Sequence, residues 1–335
     1  MRIAIAGCGG MGRVHAGEFA QMPGVELVGV CDIEYHLAEE LAAKTGASAF
    51  ASYEEMMSAV KPDVVSLALP SYLHKEYACR SARLGVHVIC EKPIALTAED
   101  AREAMAVCKE HGVELFLGHV VRFFPEYVQI KEAVNAGTLG QMGVVHLKRV
   151  GSHPGTVREW YNDEAKSGGV IVDLMIHDID FALWTLGEPK SVYTLRRTWA
   201  GSDYALITLV FHNGAVANLE GYWGDPGSFR TSAEFAGSGG IIRTDSEKSR
   251  SVIIRKSAQN AEGQRFAEIP ESPSLHSPYY LELEHFITCL REHREPAVTP
   301  EDACRALIVA NAARESAVTG QAVHFGHDFV REGQQ

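Results

Sequence analysis

No run of apolar residues in this 335-residue chain is long enough to form a membrane-crossing helix, so no membrane partner is expected. A basic block is missing too. The 31 lysines and arginines are outnumbered by 43 acidic residues, for a formal net charge of −12, and the positive footprint that neutralises a phosphate backbone is absent. Nucleic acid is set aside on that ground. The seven cysteines, Cys8, Cys31, Cys79, Cys90, Cys108, Cys289 and Cys304, are scattered, odd in number and never paired as C-x-x-C, which points to reduced, mostly structural thiols. Internal repeats and low-complexity linkers are also lacking. The chain enters an apolar run and a glycine turn within its first seven residues, leaving no room for a signal peptide, so a cytoplasmic location is expected.

What is present is ordinary for a globular protein: 46% apolar and 22% charged residues. The length exceeds what one hydrophobic core comfortably fills, and two domains are expected, residues 1–122 and 123–335. In the first, short β-branched or apolar runs at Arg2–Ala6, Val25–Cys31, Asp63–Leu69, Val86–Cys90 and Val113–Leu117 alternate with amphipathic stretches. Ser52-Tyr53-Glu54-Glu55 and Thr97-Ala98-Glu99-Asp100 read as helix-starting caps. Strands buried on both faces, each followed by a helix, predict a Rossmann-type doubly wound parallel sheet, whose ligands bind at the carboxyl ends of its strands.

After Gly118 the pattern changes. A helix at Pro125–Ala136 leads to strands at Val144–Val150, Lys190–Trp199, Tyr204–Phe211, Ala215–Trp223, Phe229–Ala236, Ile241–Thr244 and Ser251–Lys256, with helices at Val170–Leu186, Tyr279–Glu292 and Pro300–Thr319. Asn213-Gly214 predicts a tight hairpin turn in which both residues tolerate positive φ. The second domain is therefore expected to be α+β, built on a large, mainly antiparallel sheet. Its helices suffice for one face of that sheet, and a homodimer or homotetramer would cover the other.

Gly7-Cys8-Gly9-Gly10-Met11-Gly12 fits G-x-G-x-x-G and lies between a strand and a helix, the context the motif requires. The glycines permit the tight turn, the approach of backbone to a pyrophosphate, and close helix–strand packing, while the helix N-terminus receives the anion. Asp32, twenty residues beyond Gly12, suits the adenosine ribose hydroxyls and would repel a 2′-phosphate, so NAD is expected over NADP. Capping of the helix near Glu34 is the alternative role for Asp32.

Lys92 follows the strand Val86–Cys90, where a cation can stabilise alkoxide charge or relay a proton; the alternative is a surface lysine before a proline bend. Asp173 and His177 are four apart on a predicted helix and share a face on which one carbinol can be held, with histidine suited to taking its proton. The alternative is a buried histidine partnered by a carboxylate for stability. Asp178, turned about 100° from His177, reads as structural or solvated. Candidate substrate contacts are His119 and Arg122 after the last strand of the first domain, and Arg158, Trp160 and Tyr161 before the catalytic helix; Arg122 as an interdomain ion pair and Trp160 as a hydrophobic anchor are the competing readings. Tyr127…Lys131 matches Y-x-x-x-K, the pair of short-chain dehydrogenases, but the glycine spacing differs from theirs. His324 and His327 form a lone pair without nearby cysteines, and no metal is expected.

The glycine motif, Leu69-Pro70-Ser71…His74, Glu91-Lys92-Pro93, the segment from Gly168 to Asp180, and Phe286, Pro296…Thr299 and Ala313…Ser316…Gly320 together resemble the glucose-fructose oxidoreductase/inositol dehydrogenase (Gfo/Idh/MocA) family over nearly the whole chain. The resemblance implies that Lys92, Asp173 and His177 act as a triad, and that the bond between Lys92 and Pro93 is cis. It further implies that Gly7, Gly9, Gly10, Met11, Gly12, Asp32, Leu69, Pro70, His74, Glu91 and Lys92 surround NAD, and that the substrate falls among inositols, aldoses, amino sugars and dihydrodiols. The expected activity is hydride transfer between NAD and a secondary alcohol of a sugar or cyclic polyol. A non-catalytic NAD-binding regulator, or an NADP-dependent reductase of a sugar or dihydrodiol, is the alternative, although a regulator has no need of the three residues together.

Overall fold

The structure, a computed structural model, describes residues 1–248 and 276–326. These divide into two compact units, 1–123 with 276–304, and 124–248 with 305–326.

The first unit begins with β1 (Arg2–Ala6), α1 (Gly10–Phe19), β2 (Glu26–Cys31), α2 (Tyr35–Thr45), β3 (Ser48–Phe50) and α3 (Tyr53–Val60). It continues with β4 (Val64–Leu67), α4 (His74–Arg83), β5 (His87–Glu91), α5 (Ala98–Glu110) and β6 (Leu115–Gly118). All strands are parallel, in the order β3-β2-β1-β4-β5-β6. That is the doubly wound dinucleotide-binding order, with its switch point between β1 and β4. Ile3, Ile5, Val30, Val64, Val65, Leu67, Val88 and Ile89 are buried, which is why these strands read as continuous apolar runs rather than alternating ones. Both expected caps form: Ser52 Oγ accepts from Glu55 N and Thr97 Oγ1 from Asp100 N. β3 escapes the periodicity because three residues between Gly46 and Ser52 are too few to show a pattern.

The second unit carries α6 (Pro125–Asn135), β7 (Met142–Gly151), α7 (Glu164–Ser167), a π turn (Val170–Leu174), α8 (Ile176–Leu186), β8 (Pro189–Trp199), β9 (Ser202–Phe211), β10 (Val216–Trp223), β11 (Arg230–Gly237) and β12 (Gly240–Asp245). Later in the chain come α9 (Pro278–Glu292), α10 (Pro300–Thr319) and β13 (Val323–His324). The sheet order is β12-β11-β7-β10-β9-β8-β13, antiparallel except for β7 beside β10. Alternation is clean on β9, where Asp203, Ala205, Ile207, Leu209 and Phe211 are buried. The intervening Tyr204, Leu206, Thr208 and Val210 are partly exposed. Phe181 of α8 is buried edge-on against Tyr127 of α6 and Phe235 of β11.

Three expectations need correction. The segment Val170–Leu186 is not a single helix: a π turn precedes α8, with Met175 N bonded to Val170 O at 2.9 Å, five residues back. Two left-handed glycines, Gly168 and Gly169, launch that turn, and a Cβ on Gly168 would fall 2.5 Å from Val172 Cβ. The hairpin between β9 and β10 uses one left-handed residue, Gly214, rather than two; Asn213 instead accepts Ala215 N through its side chain. Finally, α9 shares the core of the first unit, its Tyr280, Leu283, Phe286 and Ile287 lying with Ile3, Ile5 and Phe19. Phe286 stacks on Phe116 at 5.0 Å. The strand expected at Ser251–Lys256, and His327, lie outside the described residues.

Because Phe181 joins α6, α8 and the sheet, Phe181→Ala should destabilise the protein by about 3–5 kcal/mol, the cost of a large aromatic cavity. Urea unfolding followed by circular dichroism measures it, and a loss under about 1 kcal/mol would show that the site collapses to fill the gap.

Candidate active site

The turn after β1 is held by steric necessity. Gly7 has φ +94°, and a Cβ there would lie 2.3 Å from Ala68 O; a Cβ on Gly12 would lie 1.8 Å from Gly7 O. Only glycine permits both approaches. Gly9 caps α1 without a side-chain bond, and neither Gly10, Met11 nor any other first-turn residue is acidic, so the helix end presents uncompensated N–H groups and positive dipole to an anion. The half-buried Asp32 accepts from Cys8 N at 2.8 Å and from Glu34 N at 2.9 Å. Asp32 thus braces the glycine turn and the chain entering α2, whose N-cap is Glu34 rather than Asp32, and its carboxylate keeps further lone pairs for other donors. These residues fit a dinucleotide: the cradle excludes side chains, the anion end is open, and a carboxylate stands after β2. Cys8 and Cys31 lie beneath, and burial pushes both thiols up to about 12, so they are protonated packing groups.

A second cluster forms at the carboxyl ends of β4 and β5. His74 is buried with Nδ1 2.6 Å from Pro93 O and Nε2 2.8 Å from Leu69 O. Its ring therefore ties the Leu69-Pro70 loop to the loop after Lys92, and burial lowers its pKa despite those two carbonyls. The peptide between Lys92 and Pro93 is cis. Glu91 is buried; burial alone would raise its carboxyl, but the hydrogen bond from His15, together with Lys92 and His74, outweighs it and the net shift is downward. Lys92 donates its backbone N–H to Glu91 Oε2 at 3.2 Å. His119 and Arg122 follow β6 and are both buried, and Arg122 is bonded to Ala297 O and Asp302 within the same unit. The ion-pair reading of Arg122 is therefore the observed state, although its partner belongs to its own unit.

In the second unit, Asp173 sits buried on the π turn and His177 half-buried in the first turn of α8. Val170 N, which opens the π turn, donates to Asp203 Oδ2 at 3.2 Å, and Asp203 is clamped by Arg196 at 2.7 and 2.8 Å. Gly221 of β10 lets Met175 pack flat on the sheet, since a Cβ there would lie 2.3 Å from Met175 Cγ. Asp178 is structural, as its helical phase predicts: it forms a buried two-point ion pair with Arg149 at 2.9 and 3.0 Å. Trp160 stacks on Tyr161 at 3.8 Å, Tyr161 meets Trp223 edge-on at 5.9 Å, and His153 lies 5.2 Å from Trp223. Half-buried Arg158 precedes this aromatic shelf. Tyr127 is buried, with burial pushing its hydroxyl up to about 12, and Lys131 Nζ donates to Trp184 O. The Y-x-x-x-K match therefore belongs to packing.

Sequence reasoning missed His15, Ser66, His153, Asp203 and Trp223. His15 stands three residues after the glycine motif and carried a readable signal, a histidine on an otherwise apolar helix face. The others depend on pairing between distant strands.

A dinucleotide cradle on a doubly wound sheet, joined in one chain to a carboxylate and an imidazole on a separate α+β unit, defines an oxidoreductase. Residues 1–119 match the NAD-binding Rossmann domain of the GFO_IDH_MocA oxidoreductase family, and residues 131–325 match its C-terminal alpha/beta domain. The chain belongs to that family and uses NAD as its cofactor. It is 30% identical to a Bacillus subtilis scyllo-inositol 2-dehydrogenase (NAD(+)), over 96% of each chain. It is 35% identical to a D-glucoside 3-dehydrogenase of Escherichia coli, over 66% of this chain and 69% of that one. Among solved structures it is similar to GenD2 of gentamicin A biosynthesis in complex with NAD, at TM-score 0.88 and 25% identity, covering 97% of this chain and 96% of that one.

The bracing of the turn by Asp32 and the ribose recognition expected of it can be tested separately. Asp32→Ala should weaken NAD about tenfold or more, the scale of a lost charged hydrogen bond. Asp32→Asn keeps an acceptor for Cys8 N but loses the charge, so it should chiefly relax discrimination against NADP. Parallel fluorescence titrations with both dinucleotides test this, and a wild type that prefers NADP would overturn it.

Proposed function

We propose that the protein oxidises a secondary alcohol of a sugar or cyclic polyol, and runs the reverse reduction by the same chemistry. When bound, NAD supplies the hydride acceptor. The carbinol carbon gives up its hydride, the hydroxyl gives its proton to His177, and a carbonyl results. Asp173 orients the hydroxyl or tunes the proton path, and the ammonium of Lys92 stabilises the oxygen's developing negative charge. The observation that carries this reading is the π turn: a wide, glycine-launched turn, pinned by Asp203, that holds a buried carboxylate four residues before a half-buried imidazole. A binding module has no use for such a device. The shelf of Trp160, Tyr161 and Trp223 gives flat apolar surface with polar edges, which suits a ring bearing hydroxyls. The relatives named for scyllo-inositol and D-glucosides support the same substrate class.

The wild type should reduce NAD with at least one member of a panel of inositols and glucosides, read at the absorbance of reduced nicotinamide. Lys92→Met should retain NAD binding while kcat falls about a hundredfold or more, as should His177→Ala, with partial recovery at high pH where hydroxide replaces the missing base. The double replacement should cost far less than the product of the single losses. Full activity in Lys92→Met would remove Lys92 from the mechanism.

We also propose that a second copy of the chain covers the outer face of the large sheet. Tyr193, Leu195 and Trp199 are 40%, 55% and 51% exposed there, and Trp199 stacks on Tyr222 beside Tyr204. Light scattering should show a dimer or tetramer that Leu195→Asp with Trp199→Asp weakens; a strict wild-type monomer at micromolar concentration would end the idea.

A further inference from the structure

We infer that His15 is a positioning residue for the reaction, gripping Glu91 from within the first unit and so fixing the backbone that carries Lys92. His15 lies on α1, facing inward, and is only 1% exposed. Its Nδ1 is 2.7 Å from Ser66 Oγ on β4 and its Nε2 is 3.1 Å from Glu91 Oε1 at the end of β5. An ionised carboxylate accepts and cannot donate, so Nε2 carries the proton facing Glu91 and Nδ1 accepts from the Ser66 hydroxyl. A neutral imidazole in that tautomer leaves neither ring nitrogen nor the hydroxyl unsatisfied. The second Glu91 oxygen takes the Lys92 N–H. One continuous line of hydrogen bonds therefore runs from the sheet interior to the peptide of the lysine.

The space for the carboxylate is itself built. A Cβ on Gly118, at the end of β6, would sit 3.3 Å from the Glu91 carboxyl, so glycine there leaves room for it. Packing does not require histidine: four residues along the same helix face, Phe19 is buried and meets the His15 ring edge-on. A buried imidazole costs desolvation unless its bonds are used, and here one nitrogen is used on β4, through Ser66, and the other on Glu91, the last residue of β5 and the neighbour of Lys92. Nor does the glycine turn need it, because that turn acts through backbone groups.

The inference rests on the assignment of Lys92 to the reaction, so the test includes one readout independent of turnover. In the full-length protein, His15→Gln should leave NAD affinity within about threefold but speed hydrogen exchange at the Lys92 amide, in the Ile89–Ile94 peptide, about tenfold. It should also lower kcat about tenfold with little change in KM, the effect of a misplaced catalytic group. Ser66→Ala, which removes only the hydroxyl behind the ring, should lie between it and the wild type in both quantities. Phe19→Leu, a destabilising change on the same helix, should move neither at temperatures below its melting point. Wild-type exchange and kcat in folded His15→Gln would overturn the inference, as would equal losses in Phe19→Leu. If His15→Gln does not fold, wild-type values for Ser66→Ala overturn it instead. Full activity in Lys92→Met would refute the lysine's role by itself, whatever the exchange at its amide shows.

Discussion

The closest approach in the first unit is the one that would place a Cβ of Gly12 1.8 Å from Gly7 O. Everything around the dinucleotide cradle follows from that contact. It brings α1 down onto β1, which aims the helix N-terminus across the carboxyl edge of the sheet and sets His15 and Phe19 into the interior. It also leaves the Cys8 amide where Asp32 can reach it, so the carboxylate after β2 is held by the glycine turn itself. Turn and carboxylate share a hydrogen bond here, and a change at one position is felt at the other.

The second unit solves a different problem, how to keep charge beneath a site without unfolding it. Asp178 and Asp203 are both buried, and each is met by an arginine in a two-point grip, Arg149 and Arg196. A buried ion pair contributes little net stability over an apolar pair, but losing one partner strands the other. Such pairs therefore fix geometry: Arg149 anchors α8 to β7 directly beside His177, and Asp203 fastens the start of the π turn to β9. Burial depresses the pKa of His153 near the same aspartate, keeping the ring neutral alongside the aromatic shelf.

Most of the first unit's sheet was legible because a fully buried parallel strand writes its burial directly into composition, and Gly7 to Gly12 cannot be replaced without collision. Lys92, Asp173 and His177 were legible as candidates through their order along the chain. The π turn was not, since Val170–Leu186 carries an unbroken apolar pattern and nothing local records that Met175 N reaches back five residues rather than four. β3 was too short to show a period, and the single left-handed residue of the β9–β10 turn depends on an Asn213 side-chain bond that composition does not encode. Ser66, Glu91 and His15 are far apart in sequence and meet only because β4 and β5 are neighbours under α1.

The placement of α9 in the core of the first unit bears on the order in which a ribosome can deliver that unit. Ile3, Ile5, Phe19 and Phe116 emerge early, yet Tyr280, Leu283 and Phe286, which close the same core, follow more than 150 residues after Phe116. Residue 19 is tied to the same late helix through the bond from Ser277 to its neighbour Glu18 at 2.6 Å. The nascent N-terminal half must therefore wait with an apolar flank uncovered while the intervening stretch of chain is translated, which at about 5–20 residues per second means on the order of ten seconds or more. The second unit, which also needs residues 305–326, is completed later still, so the interval before α9 arrives is the time at which the chain is most exposed to aggregation and most in need of a chaperone.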